Sequence, residues 1–135
     1  MGELFKKEGS VAKAKSFYHK IIQIWKNFIM ERDLDQQDMT YSVIDDIHYQ
    51  EAYQHLRTIL IFFEMEFGGH EILTGECMFT YALVTLKTGD VEQALETMQK
   101  TLVIYSNTLG EFDRKTKEVE ETHRMIETMF KHMEQ

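Results

Sequence analysis

The sequence predicts an all-α fold: an antiparallel solenoid of helix pairs, with about seven helices. Three observations predict it. Ala14, Ala52 and Ala94 each sit one turn inside an apolar helical stretch, and each is followed four residues on by a bulky apolar residue, Tyr18, Leu56 or Met98. The alanines are spaced by 38 and 42 residues, the period range of stacked helix pairs. The 135 residues contain no proline, where ordinary usage near 5% would give about seven, so helix can run nearly throughout. Long segments also repeat apolar residues at the three-and-four spacing of one buried helix face.

In chain order, residues 2–8 read as the end of a helix that Gly9 stops. Ser10 is a candidate N-cap for a helix over 11–31. Its stripe is Ala14, Phe17, Tyr18, Ile21, Ile24 or Trp25, Phe28 and Ile29. The polar stretch 31–38 reads as the longest loop. Residues 39–47 read as a short helix, built from the weak formers Thr40, Val43, Ile44 and Ile47. A helix over 49–67 ends at Gly68-Gly69. The next, over 72–88, carries Met78, Phe79, Tyr81, Ala82, Leu83 and Leu86, and Gly89 ends it. Asp90 caps a helix over 90–108, with Gln93 three residues on as a capping-box partner, and Gly110 stops it. Asp113 opens the last helix, 113–133, whose stripe is Val119, Met125 or Ile126, Met129 or Phe130, and Met133. That narrower stripe fits a helix with one face on the array and one in water. The nine methionines are read as fillers of an irregular helix–helix core.

Composition narrows the function. Hydrophobic residues make up 43% of one domain spanning 1–135. A net charge of −8 argues against nucleic acid and anionic membrane as partners. The single cysteine, Cys77, builds neither a disulfide framework nor a zinc site. It reads as a small buried hydrophobe in a reducing compartment, the cytoplasm. The start, Met1-Gly2-Glu3-Leu4-Phe5-Lys6-Lys7, is too polar for a signal peptide, and Lys6 breaks the myristoylation pattern. The apolar run 59–63 is far too short to cross a bilayer.

Motifs that carry chemistry are weak. The six histidines (His19, His48, His55, His70, His123, His132) offer no pair at three-or-four spacing, so no metal set is expected. His70-Glu71 lacks the second histidine of a zinc-protease helix. Asp33, Asp35 and Asp38 have the spacing of a calcium loop, but there is no central glycine and Ile44 occupies the place of the bidentate glutamate. Asp45-Asp46 reads as a solvated face. There is no phosphate loop and no nucleophile elbow. No cofactor and no enzyme activity are expected.

The pattern resembles the tetratricopeptide repeat, a helix–turn–helix unit of about 34 residues. A repeat starting near Gly75 supplies Ala82, Gly89, Ala94, Met98 and Thr101 at that family's small, turn, alanine, bulky and small positions. An earlier one supplies Gly2, Gly9, Ala14 and Tyr18, departing at Ile21. The middle one keeps Ala52 and Leu56 but has Ile47 in place of the turn glycine. Phe67-Gly68-Gly69-His70 returns 42 residues on as Leu109-Gly110-Glu111-Phe112, and Thr74, Glu76 and Thr80 return as Thr116, Glu118 and Thr122. A unit of that length is similar to the kinesin-light-chain-like branch. The resemblance divides the chain into a partial repeat 2–31, repeats 33–68 and 75–108, and a cap helix 113–133. The register opens midway through a helix, so the array reads as truncated at its N-terminus. Self-association through the cut end is expected there, at Leu4, Phe5, Phe17 and Ile21. The stretch 17–25, the polar insertion after it and Thr58-Ile59-Leu60 also resemble the C-terminal repeats of MYND-type zinc finger proteins of ciliary axonemes, without the zinc finger.

What the resemblance implies is a scaffold that binds a partner protein, as a peptide or helix, in a concave groove. By register the groove residues are Glu76, Phe79, Leu83, Leu86 and Lys87, with Gln37, Tyr41, Ile44 and Asp45 from the middle repeat. Phe79, Leu83 and Lys87, four apart, are expected on one solvent-facing stripe. The chaperone-binding carboxylate clamp is not expected. Lys6, Lys7 and Lys87 are its only candidate cations, and no asparagine stands at a groove position. The alternative is a stacking unit inside a larger solenoid with no separable ligand. The setting the resemblance implies is the cytoplasm, in an axonemal assembly of a cilium or flagellum.

Overall fold

Five helices form along the described residues: α1 (Gly2–Leu34), α2 (Val43–Phe67), α3 (Ile72–Lys87), α4 (Val91–Leu109) and α5 (Arg114–Met133). The structure, a computed structural model, describes residues 2–34, 43–68 and 71–133, with side chains over 10–31, 47–68 and 71–133. No strand occurs among them. The all-α expectation holds, but the count of seven helices does not. Gly9 fails to stop the first helix, and Ser10 lies inside it instead of capping a new one. A glycine inside a helix costs only about 1 kcal/mol relative to alanine, which a helix of 33 residues offsets by packing. The helices expected over 39–47 and 49–67 are likewise one, running on from Val43. α1 runs to Leu34, past residue 31 where a loop is expected, and residues 35–42 lie outside the described residues.

The other boundaries follow local chemistry. α3 and α4 are joined by Thr88, Gly89 and Asp90 alone. Gly89 has φ 97°, open to a residue without a Cβ, and its N–H donates to the Leu86 carbonyl at 3.1 Å. Asp90 Oδ1 then accepts from the Gln93 N–H at 3.1 Å. The reciprocal half of the expected capping box is absent. The Gln93 amide donates to the Tyr81 hydroxyl at 3.3 Å, and the Asp90 N–H goes to the Thr85 carbonyl. Asp113 caps α5 through the Lys115 N–H at 2.9 Å.

Each helix packs on the next in the chain, and α1 also packs on α3. Turns this short between packed helices make antiparallel hairpins. α3 is the central element: from Thr74 to Thr85 every residue but Glu76 is buried. Ala52, Leu56, Ile59 and Phe63 of α2 and Ala94 and Met98 of α4 close the core around it. The Cys77 thiol sits 3.6 Å from the Leu56 carbonyl, and burial, then the charge of Glu64, pushes its pKa up. It is the inert buried cysteine that the sequence implies. An aromatic cluster ties α1 to α2, with Tyr18 edge-on to Phe62 at 5.0 Å and to Phe63 at 6.3 Å.

The 42-residue recurrence has a structural counterpart. Thr74, Cys77 and Val84 bury the α3 face turned to α2. Their counterparts Thr116, Val119 and Ile126 bury the α5 face turned to α4. The methionines depart from expectation. Met78 and Met98 are core, but Met65, Met125, Met129 and Met133 are exposed. Among the described residues no helix covers those faces.

Ala94 is fully buried between α3 and α4. Ala94→Leu is therefore expected to lower stability by about 1–3 kcal/mol through overpacking. A urea denaturation midpoint unchanged from wild type would contradict this.

Candidate functional site

The site begins with a missing side chain. A Cβ on Gly75 would stand 3.0 Å from Ile104 Cγ2 and 3.0 Å from Tyr105 Cε2, closer than packed atoms tolerate. Glycine at this place lets the Tyr105 ring lie against α3 and reach a cleft of about 240 Å³. Four helices line it: Gln23 and Lys26 of α1, Glu76 and Phe79 of α3, Tyr105 of α4, and Lys115, Glu118 and Val119 of α5. The Thr116 hydroxyl donates to the Tyr105 carbonyl at 3.3 Å, which fixes the start of α5 beside this wall.

The cleft is polar and carries both signs of charge. Glu76 Oε2 lies 3.3 Å from His19 Nε2, across α1 and α3. The contact lacks hydrogen-bond alignment, so this buried oxygen has no hydrogen-bond donor. Lys26 Nζ sits 5.2 Å from the centroid of the Phe79 ring. That is a cation–π contact, not a pairing with either carboxylate. Tyr105 is 4% exposed. Burial first, then the charges of Glu76 and Glu118, push its pKa up, so the phenol keeps its proton at ordinary pH and remains a donor. Neither Lys115 nor Glu118 is ion-paired among the described residues. These are groups for binding a ligand that both donates and accepts.

Among the described residues no three His, Cys, Asp or Glu side chains stand together as a metal site. No helix there is long and apolar enough to cross a membrane.

Of the groove residues expected from sequence, Glu76 and Phe79 line the cleft. Leu86 and Lys87 are half-buried further along α3, outside its lining. Gln37 and Tyr41 lie outside the described residues. Ile44 and Asp45 fall in the first turn of α2, with side chains outside the described set. The expectation that Phe79, Leu83 and Lys87 form a solvent-facing stripe is corrected: Phe79 is 2% exposed and Leu83 6%. α3 is covered by α1 as well as by α2 and α4, so its second apolar face is core. Sequence reasoning missed Gln23, Lys26, Tyr105, Lys115, Glu118 and Val119. Glu118 alone carried a signal, as the 42-residue counterpart of Glu76.

Set against protein-family models, curated proteins and solved structures, the chain matches none.

Gly75→Ala is expected to crowd Ile104 and the Tyr105 ring, forcing them to shift, and to cost about 1–3 kcal/mol, as overpacking does. Thermal unfolding of the variant measures it. A midpoint equal to wild type would mean that Tyr105 has room to move.

Proposed function

We propose that this chain is a protein–protein interaction scaffold of the tetratricopeptide kind, and that it holds a segment of a partner protein in the cleft between α1, α3 and α5. The observation that carries the reading is the set of groups left free there. Lys115 and Glu118 have no ion pair among the described residues, and Tyr105 is held beside them by the close approach at Gly75. A peptide backbone, with donors and acceptors along its length, matches such a wall. The recurring alanines and the 42-residue register support the same reading. A partner in an axonemal assembly of a cilium or flagellum, in the cytoplasm, follows the narrower resemblance. A tagged chain absent from axonemes would remove that setting. The second reading, a stacking unit of a larger array, is favoured by one observation: large apolar side chains are exposed on α1 and α2.

The cleft reading is tested with peptides selected from a random library and titrated into isotope-labelled protein. The expected result is that amide shifts gather at Gln23, Lys26, Glu76, Lys115 and Glu118. The double change Lys26→Ala, Lys115→Ala should weaken binding about tenfold, or ~1.4 kcal/mol. Shifts that map elsewhere, or an unchanged affinity in the variant, would overturn it.

A further inference from the structure

The cleft is short of hydrogen-bond donors at its most buried groups. Glu76 Oε2 is buried and accepts no hydrogen bond. His19 Nε2, 3.3 Å away, does not relieve it. The Gln23 side-chain nitrogen lies 3.5 Å from that same ring nitrogen. An amide nitrogen donates and does not accept, so His19 Nε2 is the acceptor of that pair. A ring nitrogen and a carboxylate oxygen, both acceptors, therefore face one another across 3.3 Å. Tyr105 lines the same space and is only 4% exposed. Its hydroxyl makes no hydrogen bond to a described residue. Beyond its burial, the charges of Glu76 and Glu118 both act on this phenol, so the two carboxylates and the hydroxyl share one region.

The cations of the cleft do not fill the gap. Lys26 Nζ is held over the Phe79 ring. Lys115 is exposed and pairs with neither carboxylate. A buried carboxylate oxygen without a donor is costly. A ligand that brings the donor removes that cost.

We propose that the cleft receives a guanidinium group, the side chain of an arginine in the bound partner segment, with Glu76 as its first carboxylate and Glu118 as its second. The assignment rests on the protein-binding reading of the cleft and adds the side chain that enters it. Two carboxylates from different helices, a phenol oxygen and a ring nitrogen are acceptors set around one space. A guanidinium carries five N–H donors in a planar fork and serves several acceptors at once. It is also more weakly hydrated than an ammonium, so it enters a partly buried cleft at less cost. The chain's net charge of −8 favours the approach of a basic segment. Lys115 is left for a backbone carbonyl of the same segment.

The full 135-residue chain, isotope-labelled, is titrated with arginine capped as its N-acetyl methylamide. Capped lysine and capped citrulline, which keeps arginine's shape without its charge, are titrated in parallel. The arginine probe is expected to shift the amides of Glu76, Tyr105 and Glu118. Citrulline should bind at least about tenfold more weakly, with lysine in between. Glu76→Gln keeps the shape of the side chain and should weaken the arginine probe about tenfold, with an unchanged thermal midpoint. Glu118→Gln, on exposed α5 surface, should weaken it about threefold, and decides the matter if the Glu76 variant does not fold. Citrulline or lysine binding as well as arginine, or full affinity for the arginine probe in the folded variants, would overturn the assignment. Library peptides that occupy the cleft without an arginine would also overturn it, and would leave the peptide reading in place. Arginine-probe shifts in the cleft, with library peptides that map elsewhere, would remove the peptide reading and leave the guanidinium site standing.

Discussion

Burying one sixteen-residue helix constrains the rest of the array. α3 is apolar on more than one side, and a helix of that kind has to be covered nearly all round. α2 covers one side, α4 another, and α1 reaches across to a third. Small residues make the coverage close. Gly75 on α3 admits Ile104 and Tyr105 of α4, and Ala52, Ala82 and Ala94 are fully buried in the core. The buried hydroxyls of Thr80 and Thr85 on α3 are satisfied within the helix, donating to the carbonyls four residues back at 3.1 and 2.8 Å.

The cleft is a consequence of that coverage. α3 needs three neighbours, and α4 supplies the third wall only by bringing Tyr105 against Gly75. α5 is then set by α4, through the Thr116 hydroxyl and the buried Val119 and Ile126. α1 and α5 stand on the same side of α3, and Lys26, Glu76, Lys115 and Glu118 face the space between them. Buried carboxylates and lysines are costly unless paired or solvated. Lys26 meets this with the Phe79 ring, while Glu76 stands 3.3 Å from His19 without a hydrogen bond to its buried oxygen.

The same logic separates the two ends. α5 covers α4 with one face and gives water the other, through ion pairs at four-residue spacing that suit an exposed helix. α1 and α2 are knit to each other by aromatic contacts and to α3 by their inner faces, which leaves their outer stripes apolar and uncovered.

Local rules read directly from the residues placed much of this correctly. Helicity itself, the stops at Gly68, Gly89 and Gly110, the caps at Asp90 and Asp113 and the 42-residue recurrence need only neighbouring residues to take effect. Glu76 and Phe79, expected at a groove from the family resemblance, line the cleft, but Phe79 is buried and not solvent-facing. What local rules could not reach depends on who packs against whom. Gly9 carries a helix-stop signal worth about 1 kcal/mol, and the continuous helix prevails. Phe79 and Leu83 have the spacing of an exposed stripe, but α1 lies over them. Met125 and Met129 have the spacing of a core, but no helix covers them. Lys26, Tyr105 and Lys115 come from three different helices. No window along the chain contains them together, because their meeting place is set by the crossing of helices and by the one position, Gly75, where α3 lets a neighbour come close.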